Sequence, residues 1–242
     1  MKNKKIKKSI TIIGIVLLVL IVGFVAWANN SYEPCKAAMA SLDSGLGVEV
    51  TEDEYIVFKP ENVTPEKGFI FYPGGKVEPE SYSVLCRDIA EAGYLVVIAP
   101  MTLDLAVLSP NEADGIIERF SEIKHWAIGG HSLGGVMAAD YASKNQNIEG
   151  LALYASYPQG DCIKDSDIDV VSIYGSLDGV ADLDKVKNAS LPEKSELIEI
   201  KGGNHCQFGD YGHQDGDNEA EISEEEQINE AAKYTIELLE RL

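Results

Sequence analysis

The chain has 242 residues, with 20 Lys+Arg against 40 Asp+Glu and a formal net charge of −20. Five of the basic residues fall in the first 30 positions, which hold no acid, so the other 212 residues carry 15 basic against 40 acidic side chains. A body this acidic repels phosphate backbones, which excludes nucleic acid as a partner, and 45% hydrophobic with 25% charged residues is globular rather than disordered composition.

Lys2, Lys4, Lys5, Lys7 and Lys8 precede an uncharged run from Ser9 to Ala28. A helix of that length, ~30 Å, matches the hydrocarbon thickness of a bilayer. Lysines before it and acids after it place the N-terminus inside the cell and the body outside. The expected localisation is therefore the cell membrane, single-pass, with the body outside the cytoplasm. Ala26-Trp27-Ala28 also has the small-x-small form of a signal-peptide cleavage site, so secretion after cleavage is the alternative. Cys35, Cys86, Cys162 and Cys206 form no C-x-x-C pair, which argues against zinc and thioredoxin-type chemistry; export leaves three disulfide pairings open, with four unpaired small hydrophobic residues as the equal alternative.

Residues 29–47 read as linker and lead-in, and 48–242 as one domain. Strands are expected at Val48–Val50, Tyr55–Phe58, Gly68–Tyr72, Tyr94–Ala99, Trp126–Ile128, Leu151–Tyr154, Val170–Tyr174 and Leu197–Ile200. Between them, Tyr82, Leu85, Ile89 and Ala92 recur at helical spacing, Ile116, Ile117 and Phe120 mark a second helix, and Gly135–Lys144 is a third. Ser223 with Glu226 is a capping-box pattern opening a final helix, with Ile228, Ala232, Ile236 and Leu239 on one face. Gly209–Glu226 is acid-rich and reads as a solvated loop; its Asp215-Gly216-Asp217 lacks the ligand spacing of an EF-hand. Strands alternating with helices predict an α/β fold with a doubly wound, mostly parallel sheet. At ~210 residues such a body buries roughly 70% of its unfolded surface and needs no metal or disulfide.

Gly130-His131-Ser132-Leu133-Gly134 is a G-x-S-x-G sequence between an expected strand and an expected helix. In that setting the sharp turn lifts the Ser132 hydroxyl above the sheet edge, and the helix N-terminus favours developing negative charge. A serine needs a base, and the base an orienting acid. Of the four histidines, His205 lies just past the last strand, at the edge where open α/β sheets bind ligands. His131 and His125 read as structural, and His213 as a weaker second choice. Asp178 sits in the turn after Val170–Tyr174, while Asp182 reads as the cap of the next helix. The order Ser132, Asp178, His205 follows. An oxyanion hole needs backbone N–H groups; Leu133 supplies one, and Gly75 in Tyr72-Pro73-Gly74-Gly75-Lys76 the second, with Lys76 as the alternative donor.

On Phe71–Val77, Gly129–Gly135, Tyr174–Gly179 and Gly202–Gly212, the chain resembles the α/β-hydrolase superfamily, and more narrowly its small dienelactone-hydrolase-like branch. Dienelactone hydrolases proper use a cysteine nucleophile where this chain has Ser132, which argues against dienelactone as substrate. The short segment from Tyr157 to Asp169 leaves little room for a lipase-like helical lid. The resemblance implies a serine hydrolase of small ester or acyl substrates, with no cofactor, no metal and no obligate protein partner. A peptidase, an acyl transferase or a non-catalytic surface binding protein on the same scaffold are the alternatives.

Overall fold

The computed structural model describes residues 2–242, with side chains from residue 10 onward. Helix α1 (Lys2–Ala28) is continuous, and its stretch Ile10–Ala28 is long and apolar enough to cross a membrane, with its large side chains exposed. The charged side chains of Lys2–Lys8 lie outside the described ones.

The body is an eight-stranded sheet. Its elements, in chain order, are α2 (Lys36–Ala40), β1 (Val48–Glu52), β2 (Ile56–Pro60), β3 (Lys67–Tyr72), α3 (Ser83–Glu91), β4 (Leu95–Ile98), α4 (Glu112–Arg119), β5 (His125–His131), α5 (Leu133–Ala142), β6 (Ile148–Tyr154), β7 (Asp169–Gly175), α6 (Leu183–Lys187), β8 (Glu196–Ile200) and α7 (Glu224–Arg241). The strand order is β1-β2-β4-β3-β5-β6-β7-β8. The pairs β1–β2 and β2–β4 are antiparallel and all others parallel. From β3 the chain winds first to β4 on one side and then to β5 on the other. The crevice between the ends of β3 and β5 is thus the switch point where an open α/β sheet receives ligands.

Parallel strands covered on both faces need apolar side chains on both faces. In β3, Phe69 and Phe71 join one core with Leu85 and Ile89 of α3 and Ile228, Leu238 and Leu239 of α7. Ile70 and Tyr72 point the other way, into a core with Ile116 of α4 and Ala138 and Tyr141 of α5. The two-residue side-chain period of a strand sorts them. The α7 capping box is complete: the Ser223 hydroxyl accepts the Glu226 N–H at 3.2 Å, and the Glu226 carboxylate accepts the Ser223 N–H at 2.9 Å.

Two segments depart from expectation. The lead-in forms α2, docked by Cys35 N–H on the Asp210 carbonyl (2.8 Å) and Ala38 N–H on the Asp210 carboxylate (2.6 Å). The acid-rich loop after β8 is accordingly not a solvated stretch throughout, for Asp210 and Tyr211 are buried. Asp210 accepts amides there, and Tyr211 packs its ring against Tyr32 and Tyr82. All four cysteines are free, Cys86 and Cys206 buried, Cys35 and Cys162 exposed.

The half-buried carboxyl of Glu224, against Asp210, is pushed up to about 8 from an ordinary 4.5, first by burial and then by the Asp210 charge. The folded chain therefore holds this proton over a window in which the unfolded chain has released it. Stability from this group is present at low pH and is lost as pH rises from 4.5 towards 8. In thermal melts Glu224→Gln is expected to match the wild type near about pH 5 and to exceed it near about pH 9. Parallel curves across that range would disprove the shift.

Candidate active site

Ser132 joins β5 to α5 with φ 50° and ψ −118°, a left-handed conformation that costs a non-glycine residue roughly 1–3 kcal/mol. Three bonds hold it there. Its N–H donates to the Tyr154 carbonyl (2.9 Å), and its carbonyl accepts the Ser156 hydroxyl (2.7 Å) and the Val136 N–H (3.2 Å). The turn is tight because α5 begins against the end of β3: a Cβ on Gly134 would run into the carbonyl oxygens of Tyr72 and Pro73.

Asp178 leaves the end of β7 as expected of the acid turn. Its Oδ1 accepts the N–H groups of Val180 (2.8 Å) and Ala181 (2.7 Å), which fixes the carboxylate plane. Its Oδ2 meets Nδ1 of His205 at 2.8 Å, with both side chains out of solvent. A carboxylate partner puts the proton of the neutral ring on Nδ1, so Nε2 offers a lone pair. Nε2 is buried and has no hydrogen-bond partner. The His205 ring lies 4.5 Å from that of His131, the residue before Ser132, and no Ser132–His205 hydrogen bond is formed. Such bonds are often long in unliganded sites and tighten only around substrate.

The loop after β3 separates the two candidate donors. Lys76 N–H donates to the Asp104 carbonyl at 2.7 Å and is engaged. Gly74 N–H donates to the Tyr82 hydroxyl at 3.0 Å. Among the described residues Gly75 N–H and Leu133 N–H donate to nothing, and the two residues touch: a Cβ on Gly75 would stand 3.0 Å from Leu133 Cδ2. The remaining residues take other posts. Asp182 caps α6, accepting Lys185 N–H at 3.3 Å. His125 pairs with Glu149 at the opposite sheet edge, and His213 is exposed beside Glu219. His131 is buried and its pKa is driven well below the ordinary value, first by desolvation and then by His205, so the ring is neutral.

Three supports escaped the sequence reading. The Tyr82 hydroxyl, which accepts Gly74 N–H, lies 2.9 Å from Nδ1 of His131 and ties the glycine loop to the serine turn. Asp217 accepts the N–H groups of Gly179 (2.9 Å) and Cys206 (2.8 Å), joining the acid turn to the histidine loop. Buried Gln227 of α7 grips the backbone of Asn204 through its N–H (2.9 Å) and carbonyl (2.8 Å). Only Gln227 left a trace, as an amide next to Ile228 on the apolar face of an amphipathic helix. Among the described residues no group of three or more His, Cys, Asp or Glu could hold a metal ion.

Gly134→Ala is expected to destabilise the fold by about 3 kcal/mol or to prevent folding, because neither carbonyl can yield without moving β3. A folded variant with an unchanged melting temperature would refute the packing argument.

A family model described as the alpha/beta hydrolase family matches residues 68–229. Among solved structures, a novel thermostable esterase from Pseudomonas putida ECU1011 superposes with a TM-score of 0.58 at 16% identity, over 84% of this chain and 87% of that one. No curated protein matches the chain.

Proposed function

We propose, since this chain belongs to the alpha/beta hydrolase family, that it is a serine hydrolase cleaving a carboxylic ester or related acyl bond through an acyl-enzyme. The observation that carries the reading is the buried Asp178–His205 pair at 2.8 Å with an unpartnered Nε2, its ring 4.5 Å from that of His131, the residue before the strained Ser132. A small ester substrate fits, because residues 157–168 form turns rather than a helix that could cap the site. The similar structure from Pseudomonas putida is that of an esterase, which accords with this choice.

In the proposed reaction the Ser132 oxygen attacks the carbonyl carbon while Nε2 of His205 takes its proton. Asp178 holds the ring by Nδ1 and offsets the imidazolium charge. The tetrahedral oxyanion faces Gly75 N–H and Leu133 N–H, and loss of one such donor typically costs roughly 10²–10³ in rate. Collapse breaks the bond to the alcohol, which leaves with the proton from Nε2. Water then gives a proton to Nε2 and its oxygen to the acyl carbon, releasing the acid and restoring Ser132. We place the body outside the cytoplasm, with α1 as a single-pass anchor, on the strength of its apolar length and the lysines before it.

Ser132→Ala is expected to abolish hydrolysis of p-nitrophenyl acetate and labelling by a fluorophosphonate, with the melting temperature nearly unchanged, since alanine keeps the Cβ and with it the backbone strain. Activity above a few per cent would mean another nucleophile. Asp178→Asn is expected to lower kcat by about 10⁴, through the wrong histidine tautomer, and Asp182→Asn to leave it within about tenfold. A large loss at Asp182 instead would move the acid, and turnover kinetics with circular dichroism decide between the two.

A further inference from the structure

The end of α1 and the residues that follow it run against the loop after β3. Trp27, exposed at the end of the helix, lies with its ring 4.6 Å from the Lys76 ammonium, and Ala28 is buried. The Ser31 hydroxyl donates to the Asp104 carboxylate at 2.6 Å, and the Asp104 carbonyl in turn accepts Lys76 N–H. Tyr32 pairs with Val77 in a parallel bridge: its N–H donates to the Lys76 carbonyl (2.7 Å), and its carbonyl accepts Glu78 N–H (3.0 Å). The other end of Tyr32 reaches the histidine loop. Its hydroxyl accepts Asp215 N–H at 3.1 Å, and its ring packs 5.6 Å from that of Tyr211.

Backbone strain collects at the same junction. Lys76 (φ 62°), Leu103 (φ 54°) and Asp104 (φ 52°) are left-handed and none is glycine. Residues persist in that region only where their surroundings over-determine them. Here the bonds from Ser31, Tyr32 and Lys76 do so, and Gly75 is the residue immediately before Lys76. Were they released, Lys76 could relax to an ordinary conformation, the Gly75–Lys76 peptide would turn, and the preceding unit that carries Gly75 N–H would lose its fixed direction.

We propose that Trp27–Tyr32 is a positioning strap: it holds the loop that presents Gly75 N–H and fastens that loop to the one carrying His205, so the anchor's exit is part of the catalytic apparatus. This rests on the serine-hydrolase reading, but half of its test does not. One consequence is that the catalytic edge lies at the membrane surface, a few residues from the end of the apolar helix.

The test uses the full-length chain in detergent micelles. The Trp27→Ala/Tyr32→Ala double variant is expected to lower kcat on p-nitrophenyl acetate by about tenfold, part of the loss for a whole oxyanion donor, with KM within about twofold. Tyr32→Phe, which keeps the ring against Tyr211, is expected to retain most of the activity. Amide exchange in peptides covering 73–78 and 205–217 is expected to quicken in the double variant while β5 and β6 stay protected. A folded double variant with wild-type kcat and wild-type exchange overturns the strap. If the double variant does not fold, Trp27→Ala alone, an exposed substitution, is judged by the same kcat and exchange of 73–78. A wild type with neither turnover nor fluorophosphonate labelling overturns the hydrolase reading, and the exchange result still decides the strap.

Discussion

The first turn of α5 approaches the end of β3 so closely that no side chain fits between them at Gly134. That approach leaves the chain too little room to pass from β5 into the helix by ordinary dihedral angles. Ser132 absorbs the turn at φ 50°, and the bonds to Tyr154 and Ser156 keep it there. Gly75 stands against Leu133 nearby, and among the described residues the N–H groups of both are free. The approach of α5 to β3 therefore goes with the conformation of Ser132. The strain of roughly 1–3 kcal/mol is small beside the apolar burial of a sheet covered on both faces.

The other half of the site is governed by the cost of burying polar groups. An unpaired buried donor or acceptor costs roughly 1–3 kcal/mol, and the histidine loop lies deep. Asp178, Asp217, Asn204 and Gln227 meet that demand between them, each accepting backbone amides from the turns around His205. Nε2 of His205 and Oε1 of Gln207 are left over, both buried with no partner. A buried lone pair left unpaired on the proposed base is strain stored at the point where proton transfer is proposed.

Elements whose signal is local were legible in the sequence. The central strands stood out as apolar runs because both faces are buried, and α7 because its capping box and apolar stripe lie within 18 residues. Strand ends were harder to place. β5 extends through Gly129, Gly130 and His131, residues with little strand propensity, because β3 and β6 pair with them on either side. Asp178 and His205 were legible as residues following strands, whereas the posts of Tyr82 and Asp217 were not. Their partners are eight or more residues away, and a tyrosine before a helix or an aspartate in an acidic loop looks like any other. The lead-in escaped for the same reason, since α2 is a five-residue helix held by Asp210, 172 residues on from Ala38.

His131 shows how the two halves constrain each other. Its ring stands 4.5 Å from that of His205, on which the proposed reaction builds an imidazolium. A second cation at that distance would oppose the charge Asp178 is placed to stabilise. Full burial drives the His131 pKa well below its ordinary value, and the Tyr82 hydroxyl satisfies its Nδ1. The ring is thereby neutral before the reaction and during it. Tyr82 meets this need with the same oxygen that accepts Gly74 N–H, one residue before the candidate donor Gly75. The residue preceding the serine must then fill the space beneath His205, reach Tyr82 and carry no charge. Lysine or arginine would bring a buried cation, and an aliphatic side chain would leave the Tyr82 hydroxyl proton without an acceptor.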